Sequence, residues 1–220
     1  MRLESLFDLD KTIAKDIFKE CIYGFEVLPN IGDFILNLGN NLSDDYNKID
    51  NDIWIHKSVI LSDKATIIGP CIIDEFAEIR PGAYIRGKVI VGKNCVVGNS
   101  SEIKNSILFD NVQIPHFNYV GDSILGFHAH LGAGVILSNI KNDKKNIVIK
   151  GEQIIETNLR KMGSLIGDYV EVGCNSVLNP GTVIGRHTNI YPVSRVRGVV
   201  QSDSIYKDEQ HVVKKETENV

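Results

Sequence analysis

The chain has 220 residues, 43% of them hydrophobic, with 24 Lys plus Arg against 28 Asp plus Glu and a formal charge of -4. That is enough apolar material for a packed core and too little positive charge for a protein that binds nucleic acid by neutralising phosphates. The opening MRLESLFDLD is mixed and acidic, and no apolar stretch approaches the length that spans a bilayer, so a soluble cytoplasmic protein with neither nucleic-acid nor membrane partners is expected.

Residues 1–50 form a separate helical segment in this reading. Ile13, Ile17, Phe18, Cys21 and Ile22 are spaced for one helix face, with Asp10 as the cap. After Pro29 and Asn30 a second helical stretch carries Ile31, Phe34, Ile35 and Leu38 and ends at Gly39. The segment is expected to pack on the first coil of the repeat region C-terminal to it, or on another subunit.

From Ile55 an aliphatic residue recurs at every sixth position: Ile55, Leu61, Ile67, Ile73, Ile79, Ile85, Val91, Val97 and Ile103. Four places after each stands a small or β-branched residue, from Val59, Ala65, Cys71 and Ala77 to Cys95, Ser101 and Ile107. The double pattern returns from Ile166 to Val196, with Val170 to Val200 in the second series. A period of six fits neither a helix nor simple alternation. It fits a prism in which each hexad supplies one short strand, the first series pointing inward and the second filling the corners, so that three hexads close a coil of about eighteen residues. Coils then stack at about 4.8 Å, and each inward aliphatic contributes roughly 1.5 to 3 kcal/mol by burial. Gly and Asn cluster at the corners, where positive φ is favoured.

Between the two runs the period continues with two five-residue steps, through Leu108, Ile114, Val120, Leu125, Leu131 and Leu137. It weakens over 138–164, which reads as a polar external loop followed by a partial coil, with Val148 and Ile154 still in phase. The β-helix occupies 51–201 and a polar tail 202–220, with room for one short terminal strand. Cys21, Cys71, Cys95 and Cys174 show no CxxC or close His spacing and read as reduced core fillers, so no metal site is predicted.

Four blocks carry a family resemblance: RPGA at Arg80, SEIK with Glu102 and Lys104, HFNYVGD from His116 to Asp122, and GAGVILSN from Gly132 to Asn139. In order and spacing they resemble the acetyltransferase half of the bifunctional bacterial enzyme that acetylates glucosamine-1-phosphate and then uridylylates it. The resemblance covers about residues 52 to 200, and HxxYxGD followed by GAG is its most discriminating part. It implies an all-β, single-stranded, left-handed parallel β-helix; the handedness comes from the resemblance, since most parallel crossovers are right-handed. It also implies His116 as the base, Glu102 as a group orienting a base or ligand, and Arg80, Lys104, Tyr119, His130, Asn139 and Lys145 around a sugar phosphate. Ala133, Cys174 and Pro192 would follow the pantetheine groove of acetyl-CoA, and sites would lie between the prisms of a homotrimer.

The repeat arithmetic adds geometry of its own. His116 and Ala133 hold equivalent places one coil apart and stack as vertical neighbours, while Arg80 lies two coils below, on the order of 10 Å away. An imidazole near neutrality suits deprotonation of an amine attacking a thioester, and cations suit a phosphate. His130 and Ile140 stand where the family shows Asn and Tyr, and the loop after Asn139 is longer than usual. No GxGTRM-like nucleotide loop is present, so no uridylyl transfer is expected. A noncatalytic sugar-nucleotide-binding or regulatory trimer, and an acyltransferase for another acceptor, are the alternatives. A metal enzyme of the gamma carbonic anhydrase kind would need a histidine spacing that His116, His128 and His130 lack.

Overall fold

A computed structural model describes residues 1–215; residues 216–220 of the expected tail lie outside the described residues. The hexads form three stacked sheets of nine, seven and nine strands that wind as a left-handed parallel β-helix. The first face runs from Ile53–His56 through Cys71–Ile73, Val89–Val91 and Ser106–Leu108 to Val199–Val200, with Tyr46–Asp50 antiparallel at its lower edge. The second face runs from Ile60–Leu61 through Gln113–His116 to Ser204–Tyr206, and the third from Thr66–Ile68 through Tyr119–Gly121 to Arg195–Val196.

The inward series behaves as a core. Ile73, Ile79, Ile85, Val91, Val97 and Ile103 are no more than 1% exposed. Within the coils the series fails at the lower end, where Leu61 is 40% exposed and Ile67 is half-buried, because their strands have a neighbour on one side alone. Corners need close approach as much as positive φ. A Cβ on Gly98 would sit 1.6 Å from the Pro115 carbonyl oxygen of the next coil, so this glycine serves stacking, whereas Gly134 has φ of +75°.

Unequal coils shift the phase in two places. Coils begin at 18 residues and tighten to 17 where the five-residue steps fall. Ile107, expected at a corner, is thereby moved to the outer side of the first face in register with Ile90 and Ile124, and Ser106 takes the corner. The last coil closes in 16 residues, so Val200, also expected at a corner, pairs with Ile184 and joins the inward row.

The first face differs from the other two in being apolar outside as well as inside. Ile72, Ile90, Ile107, Ile124, Leu165 and Val183 are buried, and the N-terminal segment covers them. The segment descends the face from a bond of Asp168 N–H to the Leu6 carbonyl at 3.0 Å, through Phe7 and Phe18 against Phe109, to Gly39 beside the Trp54 ring. The helix Ile31–Gly39 forms as expected. The earlier helix does not: only short 3-10 turns appear, including Leu9–Lys11 and Lys15–Phe18. Local side-chain bonds compete with a continuous helix there. Asp8, not Asp10, accepts from the Asp10 N–H, Thr12 Oγ1 accepts from the Ala14 N–H, and Asp10 instead pairs with Lys15.

The insertion also departs from expectation. Val148–Lys150 and Ile154–Glu156 pair antiparallel with each other and join none of the coils. Ile147 and Ile149 are buried while Val148 and Lys150 are not, which is a period of two rather than six. The Ile147 side chain reaches the corner glycine Gly181. At the C-terminal end Ser204–Tyr206 continues the second face and Val212–Lys214 folds back on it antiparallel. Of the four cysteines, Cys71 and Cys95 are buried, Cys21 is half-buried and Cys174 is exposed, so the core-filler reading fails for Cys174.

Candidate functional site

The corner between the second and third faces carries a continuous ladder. His116 pairs with Asn99 below. The Gly134 N–H donates to the His116 carbonyl at 3.0 Å, Asn175 N–H to Ala133 at 2.8 Å, and Val193 N–H to Cys174 at 2.8 Å. His116, Ala133, Cys174 and Pro192 therefore occupy one slot in successive coils. Below them the turn is fixed by buried Asn118, which accepts from the His116 N–H at 3.1 Å and donates to the Gly132 carbonyl at 2.8 Å. The His116 side chain is exposed, with the Phe117 ring 6.5 Å away.

A second cluster lies toward the far edge of the third face. Glu102, Tyr119 and Ile136 form one outward row, and Lys104 and Gly121 stand in the next. Lys104 Nζ is 3.3 Å from Asp122 Oδ2. Asn139 Nδ2 donates to the same carboxylate and lies 3.3 Å from Tyr119 Oη, while Asn105 Nδ2 donates to Asp122 Oδ1 at 2.9 Å. A Cβ on Gly121 would meet Asn139 Nδ2 and Tyr119 Oη, each at 2.7 Å, so the bare backbone there is what lets the two side chains meet. Burial pushes the Tyr119 hydroxyl up, helped by the charges of Glu102 and Asp122, and keeps it a proton donor. The cluster thus offers ammonium, phenol and amide donors to an anion.

Glu102, beside Tyr119 in the cluster's outward row, is engaged by Arg86 across one coil. Arg80, His130 and Lys145 are not brought into this cluster within one chain. Arg80 follows Ile79 on the second face and is held bidentately by Glu78, at 3.0 and 3.1 Å, which keeps the Glu78 carboxyl below the usual range. His130 points outward from the second face, where alternation from inward Leu131 puts it, and its Nδ1 lies 2.7 Å from Glu171 Oε2. Lys145 is exposed on the insertion, its N–H bonded to Asp143. Sequence reasoning does not single out Asp122 and Asn118, although both lie inside the HFNYVGD block that carries the resemblance.

Repeat and winding make this chain a hexapeptide-repeat left-handed β-helix, and its blocks resemble those of the acetyltransferase domain of the bifunctional uridylyl- and acetyltransferases. Residues 67–161 match the family described as GMPPB C-terminal domain. The chain is 37% identical over 177 residues to the bifunctional protein GlmU of Methanococcus maripaludis, covering 76% of this chain and 43% of that protein. It is 34% identical over 190 residues to a bifunctional sugar-1-phosphate nucleotidylyltransferase/acetyltransferase of Sulfurisphaera tokodaii, covering 74% and 47%. The chain thus spans less than half the length of these relatives. Among solved structures, a mutant of AntD, an N-acyltransferase from Bacillus cereus, in complex with dTDP and coenzyme A, has a TM-score of 0.40 at 16% identity, covering 76% of this chain and 82% of that one.

Proposed function

We propose that the protein transfers an acetyl group from acetyl-CoA to the amine of an amino-sugar phosphate of the glucosamine-1-phosphate type, and that these residues perform no uridylyl transfer. The observation that carries the reading is the single corner ladder joining His116 to Ala133, Cys174 and Pro192. It gives an extended thioester arm a track ending at an exposed imidazole. His116 takes a proton as the amine nitrogen attacks the thioester carbonyl carbon; the tetrahedral intermediate then collapses, the C–S bond breaks, and the proton returns to the departing thiolate. Lys104, Tyr119 and Asn139 hold the phosphate, and in a homotrimer Arg80, His130 and Lys145 of neighbouring prisms complete the pocket. The setting is cytoplasmic, where acetyl-CoA is available; among the described residues no helix is long and apolar enough to cross a membrane.

A second reading, a noncatalytic binding trimer, is favoured by the fact that Arg80 and Lys104 each already have a carboxylate partner. Thiol release from acetyl-CoA with glucosamine-1-phosphate and a panel of amino sugars separates the two. Release with glucosamine-1-phosphate supports the proposal, and release only with another amine keeps the chemistry and changes the acceptor. Coenzyme A binding without release from any amine would favour the noncatalytic trimer.

A further inference from the structure

The insertion hairpin packs at the corner where the third face turns into the first, with Ile147 beside Gly181 and the Lys150 carbonyl beside Gly198, and leaves a groove of about 700 Å³ against the upper coils. The floor includes Ser138, Asn179 and Arg197, which follow the inward residues Leu137, Leu178 and Val196. Lys104 holds the same place after Ile103, two coils below Ser138, so about 10 Å separates the groove floor from the Lys104 cluster. One wall is aliphatic, with Ile140 38% and Ile154 73% exposed beside Pro180. The charged part of the lining is mostly cationic. Lys141, Lys150 and Arg197 face a single acid, Asp143, which is 3.2 Å from Lys141. Among the described residues neither Lys150 nor Arg197 has an ion-pair partner.

A ligand that matches this surface is flat and weakly polar at one end and doubly anionic in the middle. We propose that the groove binds a nucleoside diphosphate group, its base against Ile140, Ile154 and Pro180 and its phosphates on Lys150 and Arg197. Arg offers a planar fork to two phosphate oxygens and Lys a point charge. The inference rests on the acyl-transfer reading and narrows it. The diphosphate belongs either to a nucleoside-diphospho amino sugar, which would then replace the simple sugar phosphate as acceptor and put its hexose rather than a phosphate at Lys104 and Tyr119, or to the adenosine end of the acyl donor.

Calorimetric titration of the full chain with UDP, GDP, dTDP and coenzyme A tests this, in wild type, Lys150→Gln and Arg197→Gln. Both substitutions lie on exposed side chains. At least one probe should bind wild type, and each substitution should weaken it by about tenfold or more, as expected for loss of a charge-assisted hydrogen bond. Weakening for a nucleoside diphosphate with coenzyme A affinity unchanged assigns the groove to a sugar-nucleotide acceptor. Weakening for coenzyme A alone assigns it to the donor. No binding of any probe at millimolar concentration, or affinities equal in all three proteins, overturns the proposal. Because binding is read without turnover, groove binding in a protein that releases no thiol would defeat the acyl-transfer reading alone. Thiol release that is unchanged in both variants, with no nucleotide bound, would defeat the groove alone.

Discussion

Lys104 Nζ stands 3.3 Å from Asp122 Oδ2, and the two side chains are only 16% and 7% exposed. Asp122 also accepts from the amides of Asn105 and Asn139, so one carboxylate organises the donors of the third face. Asp122→Ala should strand a part-buried cation and two amides and destabilise the protein by about 3 to 5 kcal/mol. Asp122→Asn preserves size and tolerates the φ of +49° at this corner, and should cost about 1 to 3 kcal/mol. Urea unfolding measures both; a wild-type midpoint for Asp122→Ala would show that the cluster contributes nothing to folding.

His116 is exposed at the end of its strand and its backbone, not its ring, is tied to Asn118. Removing the ring should therefore leave the turn intact. His116→Ala should reduce kcat about 10² to 10⁴-fold while coenzyme A affinity changes little. Wild-type turnover in the variant would take His116 out of the mechanism.

Cys174 supplies a chemical probe of the same ladder. It is exposed, whereas Cys71 and Cys95 are buried, and burial pushes the Cys71 thiol up to about 12 and that of Cys95 higher still. A thiol that cannot ionise is a poor nucleophile. Iodoacetamide should label Cys174 first, and coenzyme A should slow that labelling while leaving the slow labelling of Cys71 and Cys95 unchanged. Peptide mass spectrometry reads each site. Equal labelling of Cys174 with and without coenzyme A would argue that the donor does not follow the ladder.

The inward core is legible because six-residue periodicity reports a geometry that neither helix nor flat strand shares, and Ile73 to Ile103 obey it. Phase is legible only where coils are equal: one residue lost per coil moves Ile107 outward, and a 16-residue coil moves Val200 inward. The covering of the first face has a signal that period-six counting passes over, since the outward slots Ile72, Ile90, Ile124, Leu165 and Val183 are all apolar in every third hexad. Apolar spacing overstates the N-terminal helix because it cannot see Thr12 and Asp8 bonding their own backbone. Among site residues, motif order places Lys104, Tyr119 and Asn139 together, and repeat arithmetic gives the His116–Ala133 step of the ladder, while Cys174 and Pro192 beyond the insertion enter only through the resemblance. His130 and Lys145 cannot be placed that way, because an outward row and a hairpin insertion set their positions.

Asp110 gives a pH test. Its carboxyl is half-buried and burial raises it above the ordinary 3.8, with the charge of Asp74 adding to the shift and Lys93 opposing it. The folded protein holds this proton more firmly than the unfolded chain does. The group's contribution is therefore fully present below the unfolded value and is lost as pH rises through the raised folded value. Asp110→Asn keeps an oxygen for the Lys93 N–H, 2.9 Å away, and removes the charge. The variant should be more stable than wild type above the raised folded value, and the advantage should fade as pH drops below 3.8. Urea midpoints from about pH 3 to about pH 8 measure it; a difference independent of pH would contradict the assignment.

Val193 sits directly after Pro192 on the proposed donor track with φ of +61° and is 79% exposed. A β-branched residue in this region is strained; the same corner slot in other coils holds Gly82, Ser100, Phe117, Gly134 and Asn175, none of them β-branched. Val193 contributes little burial within the chain to offset the strain. Val193→Asn should stabilise the protein by about 1 kcal/mol. Val193→Gly should gain less, because glycine also loosens the unfolded chain. The N–H bond to Cys174 at 2.8 Å is available to all three residues, so the comparison isolates φ. Thermal unfolding with coenzyme A titration beside it reads both consequences. A more stable Val193→Asn protein with weakened coenzyme A affinity would mean that the strained valine is held for contact with the donor. Unchanged affinity would mean that the strain serves no ligand, and a drop in stability would mean that the exposed valine is covered by another subunit.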